Sequence, residues 1–148
     1  MIIVTGGAGF IGSNLVSALK NITTEEIVVC DRLGHGEKWQ NLKGVTLENF
    51  VQPEELDEYL NNNVEEVSAI FHLGAISTTT ETDGDLILQE NFSLSRYLYQ
   101  FCTMHNIQLI YASSAATYGD GSKGFMEPKT LGDIEKLVPL NAYAWSKN

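Results

Sequence analysis

A glycine-rich turn directly after a short apolar run most constrains how this chain can fold. Residues 2–5 read IIVT, and the stretch VTGGAGFIG then places Gly6, Gly7, Gly9 and Gly12 ahead of a helical pattern. This spacing permits a tight turn, close approach of the backbone to a pyrophosphate, and close packing of a helix on a sheet. Because the N–H groups that open a helix favour phosphate oxygens, the turn predicts dinucleotide binding rather than a purely structural bend.

Apolar runs alternate with helical patterns along the rest of the chain. Strands are predicted at residues 26–31, 68–75 and 107–114, with a weaker one at 44–50, and helices at about 53–62 and 84–105. In the first helix, Ile11, Leu15 and Leu19 are expected to share one face. The strand runs are continuously apolar, which is typical of strands buried on both faces of a parallel sheet. The alternation of strands and helices predicts an α/β fold.

Length and composition limit the class of protein. The 148 residues suffice for one domain, and a formal net charge of −10 disfavours a nucleic-acid surface, which needs clustered Lys and Arg. Cys30 and Cys102 are too few to indicate a disulfide scaffold, and Cys30, at the end of an apolar run, is expected to be a reduced, buried thiol. The N-terminus lacks the basic segment of a signal peptide, and no apolar run approaches the ~18 residues that span a bilayer. We therefore expect a cytoplasmic protein that binds neither membrane nor nucleic acid and has no metal cluster.

The end of the second predicted strand carries conflicting signals for the cofactor. Asp31 lies nineteen residues beyond Gly12, where an acid would bond the adenosine ribose 2′-hydroxyl. Arg32 follows directly, and Lys38 lies six residues further on. A carboxylate repels a 2′-phosphate, whereas an arginine binds it through two hydrogen bonds. The acid favours NAD and the two cations favour NADP.

Two polar features near the C-terminal end could carry chemistry. Tyr143 and Lys147 are four residues apart, so on a helix they share one face as an acid/base pair or as an ordinary surface pair. Ser114 follows the last predicted strand, where it could bond a substrate oxygen or merely cap a turn. Residues 119–140 are rich in glycine, proline and charge, and they predict a long loop that is functional or a surface insertion.

Four motifs together resemble those of the extended short-chain dehydrogenase/reductase family. They are TGGAGFIG, HLGA at residues 72–75, YASSAATYG at residues 111–119, and the Tyr143/Lys147 pair, in the family's order and at its spacing. The resemblance covers the whole chain. With the alternating strands and helices, it predicts a Rossmann-like doubly wound parallel sheet of strand order 3-2-1-4-5.

The resemblance also implies an active site and a cofactor site. Ser114, Tyr143 and Lys147 would be catalytic. Asn91 would support the geometry of the cofactor or of the catalytic lysine. NADP is favoured as cofactor, with NAD possible. The implied cofactor-binding residues are Gly6, Gly9, Phe10, Ile11, Gly12, Asp31, Arg32, Lys38, Leu73, Gly74, Ala75, Ile76, Ser77, Asn91, Tyr143 and Lys147.

Within the family, the chain is most similar to the epimerases that invert C6 of an ADP-linked heptose used in bacterial lipopolysaccharide. The resemblance thus implies an isomerase acting on a nucleotide-sugar. A 4-epimerase, a dehydratase, and a dinucleotide-binding module without turnover are the alternatives. Dehydration is disfavoured because Ala115 and Ala116 stand where acid/base residues would be needed. A module without turnover commonly loses the tyrosine or the lysine, and both are present here.

Family members run to about twice this length. The 148 residues are therefore expected to be the incomplete NAD(P)-binding domain of a longer enzyme, without its substrate domain and without turnover. Lys147, near the end of a short helix, is expected to be poorly fixed because short helices fray. The fifth strand is expected to be an exposed edge, and such edges recruit partners, which favours a homo-oligomer.

Overall fold

The structure is a computed structural model that describes all residues from Met1 to Asn148. It contains five strands and six α-helices, joined by 3₁₀ turns and one π-helical segment. The strands are β1 (Ile2–Thr5), β2 (Ile27–Cys30), β3 (Asn49–Val51), β4 (Ala69–His72) and β5 (Gln108–Tyr111). The helices are α1 (Phe10–Ile22), α2 (Leu56–Asn62), α3 (Gly84–Ile87), α4 (Leu94–His105), α5 (Leu131–Ile134) and α6 (Ala142–Ser146). The predicted weak strand at 44–50 begins later than expected.

The chain divides into two compact units. The first comprises Met1–Gly74 and Leu98–Ala112 and contains the sheet, and the second comprises Ala75–Tyr97 and Ser113–Asn148. All five strands are parallel, in the order β3-β2-β1-β4-β5, which confirms the predicted Rossmann-like sheet. β5 lies at one edge of this sheet, and all its residues are at least partly exposed.

The strand register brings three chain segments to one edge of the sheet. Thr5 pairs with Cys30 on one side and with His72 on the other, so β1, β2 and β4 end level with one another. Residues that follow these strands consequently emerge together at the carboxyl edge, where open α/β sheets bind ligands. The residues predicted to contact the cofactor in this unit follow these three strands.

The core of the first unit forms between the sheet and α1. β1 and β2 are buried along their whole length, as expected for central parallel strands. In α1 the buried residues are Gly12, Ser13, Val16 and Leu19. The prediction that Ile11 shares the buried face was wrong, because its side chain is 71% exposed. The buried face instead includes Gly12, which lies so close to the preceding turn that a Cβ there would collide with the Gly6 oxygen.

The helix predicted at residues 84–105 is interrupted by a π-helical segment. α3 ends at Ile87, residues Leu88–Ser93 form the π segment, and α4 begins at Leu94. Leu88 and Phe92 are about 40% exposed as a result. Asn91, by contrast, is fully buried in the π segment. A π turn holds more residues than an α turn, so apolar residues spaced for an α-helix no longer all face the core after it. Such turns are frequent at functional sites.

We predict that replacing Gly6 with alanine destabilises the protein far more than replacing Gly44. Both residues have positive φ angles, +68° and +76°, but a Cβ at Gly6 would lie 2.7 Å from the Gly74 nitrogen, whereas none of the neighbouring atoms lies within 4 Å at Gly44. Gly44→Ala should cost about 1 kcal/mol from backbone strain alone. Gly6→Ala adds a steric clash and should lower the free energy of unfolding, measured with urea, by about 3 kcal/mol or more. Equal costs would contradict the crowding at Gly6.

Candidate active site

The turn between β1 and α1 forms a cradle of backbone N–H groups. The Gly9 N–H donates to the Gly6 oxygen at 3.0 Å, and no side chain caps the N-terminus of α1. A Cβ at Gly12 would collide with the Gly6 oxygen. Phe10 and Ile11 are exposed at the start of the helix. Because the first N–H groups of an α-helix lack partners within the helix, the cradle fits an anionic phosphate group.

Asp31 is bound to this turn and to Lys38. Its Oδ2 accepts a hydrogen bond from the Ala8 N–H at 2.9 Å, and its Oδ1 accepts from the Arg32 N–H at 2.7 Å. The Lys38 ammonium lies 2.5 Å from the same Oδ1 and also donates to the Arg32 carbonyl oxygen. The Asp31 side chain is only 10% exposed. Its negative charge is therefore offset by Lys38 at the place where the adenosine ribose is expected.

Arg32 extends in another direction and pairs with Glu54. Its Nε and Nη2 atoms donate to Glu54 Oε1 at 2.9 and 2.6 Å. The hydrogen bond from Arg32 lowers the pKa of Glu54 below its usual value. Both side chains are exposed, at 42% and 59%, so the pair contributes little to folding. The Arg32 guanidinium can exchange this partner for another anion at little cost.

The end of β4 is joined to the end of β1 by Thr5. The Gly74 N–H donates to Thr5 Oγ1 at 3.0 Å, and Thr5 Oγ1 lies 2.6 Å from Nδ1 of the buried His72. The hydroxyl accepts from Gly74, so its own proton is available to His72 Nδ1. Thr5 fixes the Leu73–Gly74 turn, a role that sequence analysis missed. The signal was a buried threonine at the end of an otherwise apolar strand.

Asn91 holds two segments of the second unit together. Its Oδ1 accepts from the Ile76 N–H at 2.8 Å, and its Nδ2 donates to the Ile76 oxygen and to Ser146 Oγ, each at 3.0 Å. Ser146 in turn donates to the Tyr143 carbonyl oxygen at 2.8 Å. The Asn91 amide thus links Ile76 to the helix that carries Tyr143. Ser146 was not among the residues predicted from the sequence.

Ser114 and Lys147 line one cavity of about 500 Å³. Ser114 Oγ accepts from the Ala116 N–H at 3.1 Å, so Ser114 does cap the 3₁₀ turn that follows it. The hydroxyl proton remains available to a ligand. Tyr143 is half-buried on α6, one helical turn before Lys147, and is not among the residues that line this cavity. Of the other predicted residues, Ala75 is half-buried and Ser77 is exposed.

Lys147 is buried, contrary to the prediction that it would be poorly fixed. It is 5% exposed, and its carbonyl oxygen accepts a hydrogen bond from Ser113 Oγ at 3.4 Å. Packing around the end of α6 compensates for the shortness of the helix. Burial lowers the pKa of Lys147 from 10.5 to about 8, because a low-dielectric surrounding disfavours the charged amine. A fraction of this side chain is therefore neutral near neutral pH.

Other features of the chain bear on the range of possible chemistry. No group of three or more His, Cys, Asp or Glu side chains is arranged to hold a metal ion. Neither cysteine forms a disulfide and both are buried, as predicted for Cys30, and burial raises the pKa of Cys102. No helix is both long enough and apolar enough to cross a membrane. The polar groups described above are thus the candidates for chemistry.

A parallel sheet of strand order β3-β2-β1-β4-β5 with a glycine-rich turn after β1 defines a Rossmann-like fold. The chain belongs to the NAD dependent epimerase/dehydratase family, whose profile matches residues 2–148. This confirms the resemblance seen in the sequence.

Two curated relatives are ADP-L-glycero-D-manno-heptose-6-epimerases. That of Fusobacterium nucleatum is 42% identical over 99% of this chain and 45% of its own length. That of Brachyspira hyodysenteriae is 43% identical over 99% of this chain and 46% of its own length. The solved structure of the Helicobacter pylori enzyme of that name is 29% identical and has a TM-score of 0.78 over 99% of this chain and 47% of its own. The chain thus spans about half the length of these relatives.

The lowered pKa of Lys147 predicts a pH-dependent difference between the wild type and Lys147→Met. Well below pH 8 the lysine is protonated in both the folded and the unfolded state, so it does not make the free energy of unfolding depend on pH. Between about pH 8 and ~10.4, the unfolded chain keeps a proton that the folded chain has released. Raising the pH through this window should therefore stabilise the wild type relative to the methionine variant.

Urea unfolding at several pH values between pH 7 and 10 measures this difference. The exposed Lys136, changed to methionine, is the matched control and should give a curve parallel to that of the wild type above pH 8. A constant difference between wild type and Lys147→Met across the window would contradict a buried Lys147.

Proposed function

We propose that these residues belong to a nucleotide-sugar epimerase, specifically an ADP-glyceromanno-heptose 6-epimerase that works by NADP-dependent transient oxidation and reduction. The observation that carries the proposal is the common cavity of Ser114 and Lys147, with Tyr143 one helical turn before the lysine. The identity of 42–43% to heptose epimerases supports the choice of sugar. A cytoplasmic location and a homo-oligomeric state are part of the same proposal.

The glycine turn would hold the pyrophosphate of the cofactor. The N–H groups at the start of α1 donate to phosphate oxygens, and the missing side chains at Gly6, Gly9 and Gly12 let the ligand approach the backbone. The Leu73–Gly74 turn, held by Thr5, and residues 75–77, held at Ile76 by Asn91, would bound the nicotinamide end. A dinucleotide held by these residues would supply the redox chemistry of the reaction, as acceptor and then donor of the hydride exchanged with the sugar carbon.

Tyr143, Lys147 and Ser114 would handle the proton of the reacting hydroxyl. The Tyr143 oxygen accepts that proton as the carbon is oxidised and gives it back as the carbon is reduced. The Lys147 ammonium stabilises the phenolate form by its positive charge. Ser114 Oγ donates a hydrogen bond to the substrate oxygen, since its other hydrogen bond is the one that it accepts from Ala116.

In a polypeptide as long as the relatives that includes residues 1–148, Tyr143→Phe should abolish turnover. Removing a general acid/base commonly slows a reaction about 10²–10⁴-fold, and the ring of phenylalanine preserves the packing. Conversion between the two C6 epimers of the ADP-heptose, followed by NMR, measures the effect. The exposed Tyr99 provides the control Tyr99→Phe, which should keep full activity. A fully active Tyr143→Phe enzyme would refute the assigned role.

We further propose that residues 1–148 alone give no measurable turnover. The relatives are about twice as long, so the additional groups that complete the enclosure of the sugar are assigned to the part not covered by this chain. Robust epimerisation by the purified 148-residue chain would overturn this part of the proposal.

NADP is proposed over NAD because of the charges that follow β2. Lys38 offsets the carboxylate of Asp31, which reduces the repulsion that an acid exerts on a 2′-phosphate. Arg32 lies beside it in an exposed ion pair that a phosphate can replace. The alternative, NAD, is favoured by the position of Asp31 at the ribose end of the site and by the NAD dependence in the family's description.

Calorimetric titration with NADP⁺ and NAD⁺ separates these alternatives. Arg32→Ala should weaken NADP⁺ binding about tenfold and leave NAD⁺ binding nearly unchanged, because the guanidinium would contact only the 2′-phosphate. Glu54→Gln, which removes the competing carboxylate, should strengthen NADP⁺ binding. Lys20→Ala is a control for the change of charge. Equal losses for both cofactors in Arg32→Ala would show that Arg32 does not read the phosphate.

A further inference from the structure

Residues 119–138 form a loop whose two ends are held together. Gly119 has a φ of +62°, and a Cβ there would collide with the Val138 oxygen. Within the loop, the Phe125 ring covers Gly121 and packs against Tyr118 with their ring centroids 5.7 Å apart. The close approach of its ends and the packing of its aromatic rings give this long loop a defined shape, and loops of such length in compact domains are usually functional or disordered.

Two residues of this loop, Glu127 and Pro128, line the 500 Å³ cavity together with Ser114 and Lys147. Glu127 is exposed and has no hydrogen bond or ion pair with any other residue of the chain. It is the one carboxylate among the side chains that line the cavity. A carboxylate without a partner at the wall of a cavity is available to a ligand.

Two polar groups of this cavity, Lys147 and Ser114, offer donors, whereas Ser113 and Thr117 already donate their hydroxyl protons to backbone carbonyl oxygens. Lys147 carries only donors when protonated, and Ser114 Oγ already accepts from Ala116, which leaves its proton free. A sugar presents hydroxyl groups that both donate and accept. Adjacent hydroxyls of a sugar ring or chain can donate together to the two oxygens of one carboxylate. A volume of 500 Å³ lies within the ~300–1,000 Å³ typical of small-molecule sites.

We propose that Glu127 is a specificity-determining residue that accepts hydrogen bonds from vicinal hydroxyls of the sugar. The inference rests on the proposed function and adds to it a residue that distinguishes the sugar part of the substrate from its nucleotide part. Glu127 also borders a second hollow of about 370 Å³, lined by Lys123, Lys129 and Lys136. If its carboxylate served only that lysine-lined hollow, its removal would leave sugar binding unaltered.

The test compares ADP-glucose with ADP on the NADP⁺-saturated chain, using amide chemical shifts in NMR titrations. ADP-glucose carries a glucosyl group where ADP has an ionisable oxygen on its terminal phosphate, so the probes also differ in charge. The change in their affinity ratio between a variant of Glu127 and a variant that makes the same charge change elsewhere therefore reports contacts to sugar hydroxyls. We expect ADP-glucose to bind more tightly than ADP and to shift the Glu127 and Ser114 amide signals. Glu127→Gln should reduce the affinity for ADP-glucose about tenfold without changing that for ADP. Glu127→Asp should recover part of the loss.

Glu135→Gln is the matched control. It makes the same change of charge in the same loop, at an exposed position outside the cavity, and should behave as the wild type. The inference is overturned if Glu127→Gln retains the wild-type ratio of affinities, if it weakens both probes equally, or if the wild type binds ADP-glucose no better than ADP. Failure of the chain to bind either NADP⁺ or NAD⁺ would instead reject the proposed function itself, together with this inference.

Discussion

The close contact between the backbones at Gly6 and Gly74 is the constraint on which the first unit depends. The parallel strands β1 and β4 end side by side, and the two turns that follow them pass so close that a Cβ at Gly6 would collide with the backbone of Gly74. Thr5 uses its hydroxyl to tie the two turns together, forming a hydrogen bond with His72 Nδ1 and accepting one from the Gly74 N–H. The polar groups at this edge are satisfied within the protein, so the remaining N–H groups of the α1 turn stay available for a ligand.

The second unit depends on a different device, a buried amide. Asn91 satisfies both backbone groups of Ile76 and still reaches Ser146, so one side chain fixes the position of a loop and a helix. Buried polar groups are costly unless fully bonded, and a fully bonded network specifies one arrangement. The position of Tyr143 follows from this network, because Ser146 is bonded to its carbonyl oxygen.

Local patterns in the sequence predicted the fold well and the site only in part. The glycine turn and the continuously apolar runs are properties of short segments, and the strands and the first turn follow from them, whereas the strand order was implied by the family resemblance. The contact between Asn91 and Ser146 joins residues 55 positions apart, and the one between Asp31 and Lys38 depends on how a loop folds back. Such polar contacts are made by tertiary packing, which hydrophobic periodicity does not encode. The burial of Lys147 was missed for the same reason: helix length alone suggested fraying.

The π-helical segment Leu88–Ser93 has a consequence for how this chain can tolerate changes in length. A π turn holds about one residue more than an α turn, and each residue of an α-helix advances the chain by ~100°. A single deletion within Leu88–Ser93 would therefore give a more regular helix, yet it would rotate the Asn91 amide away from Ile76 and Ser146. The Asn91 side chain points inward because the helix contains this π turn. A regular α-helix at this turn would thus be incompatible with the hydrogen bonds that Asn91 makes.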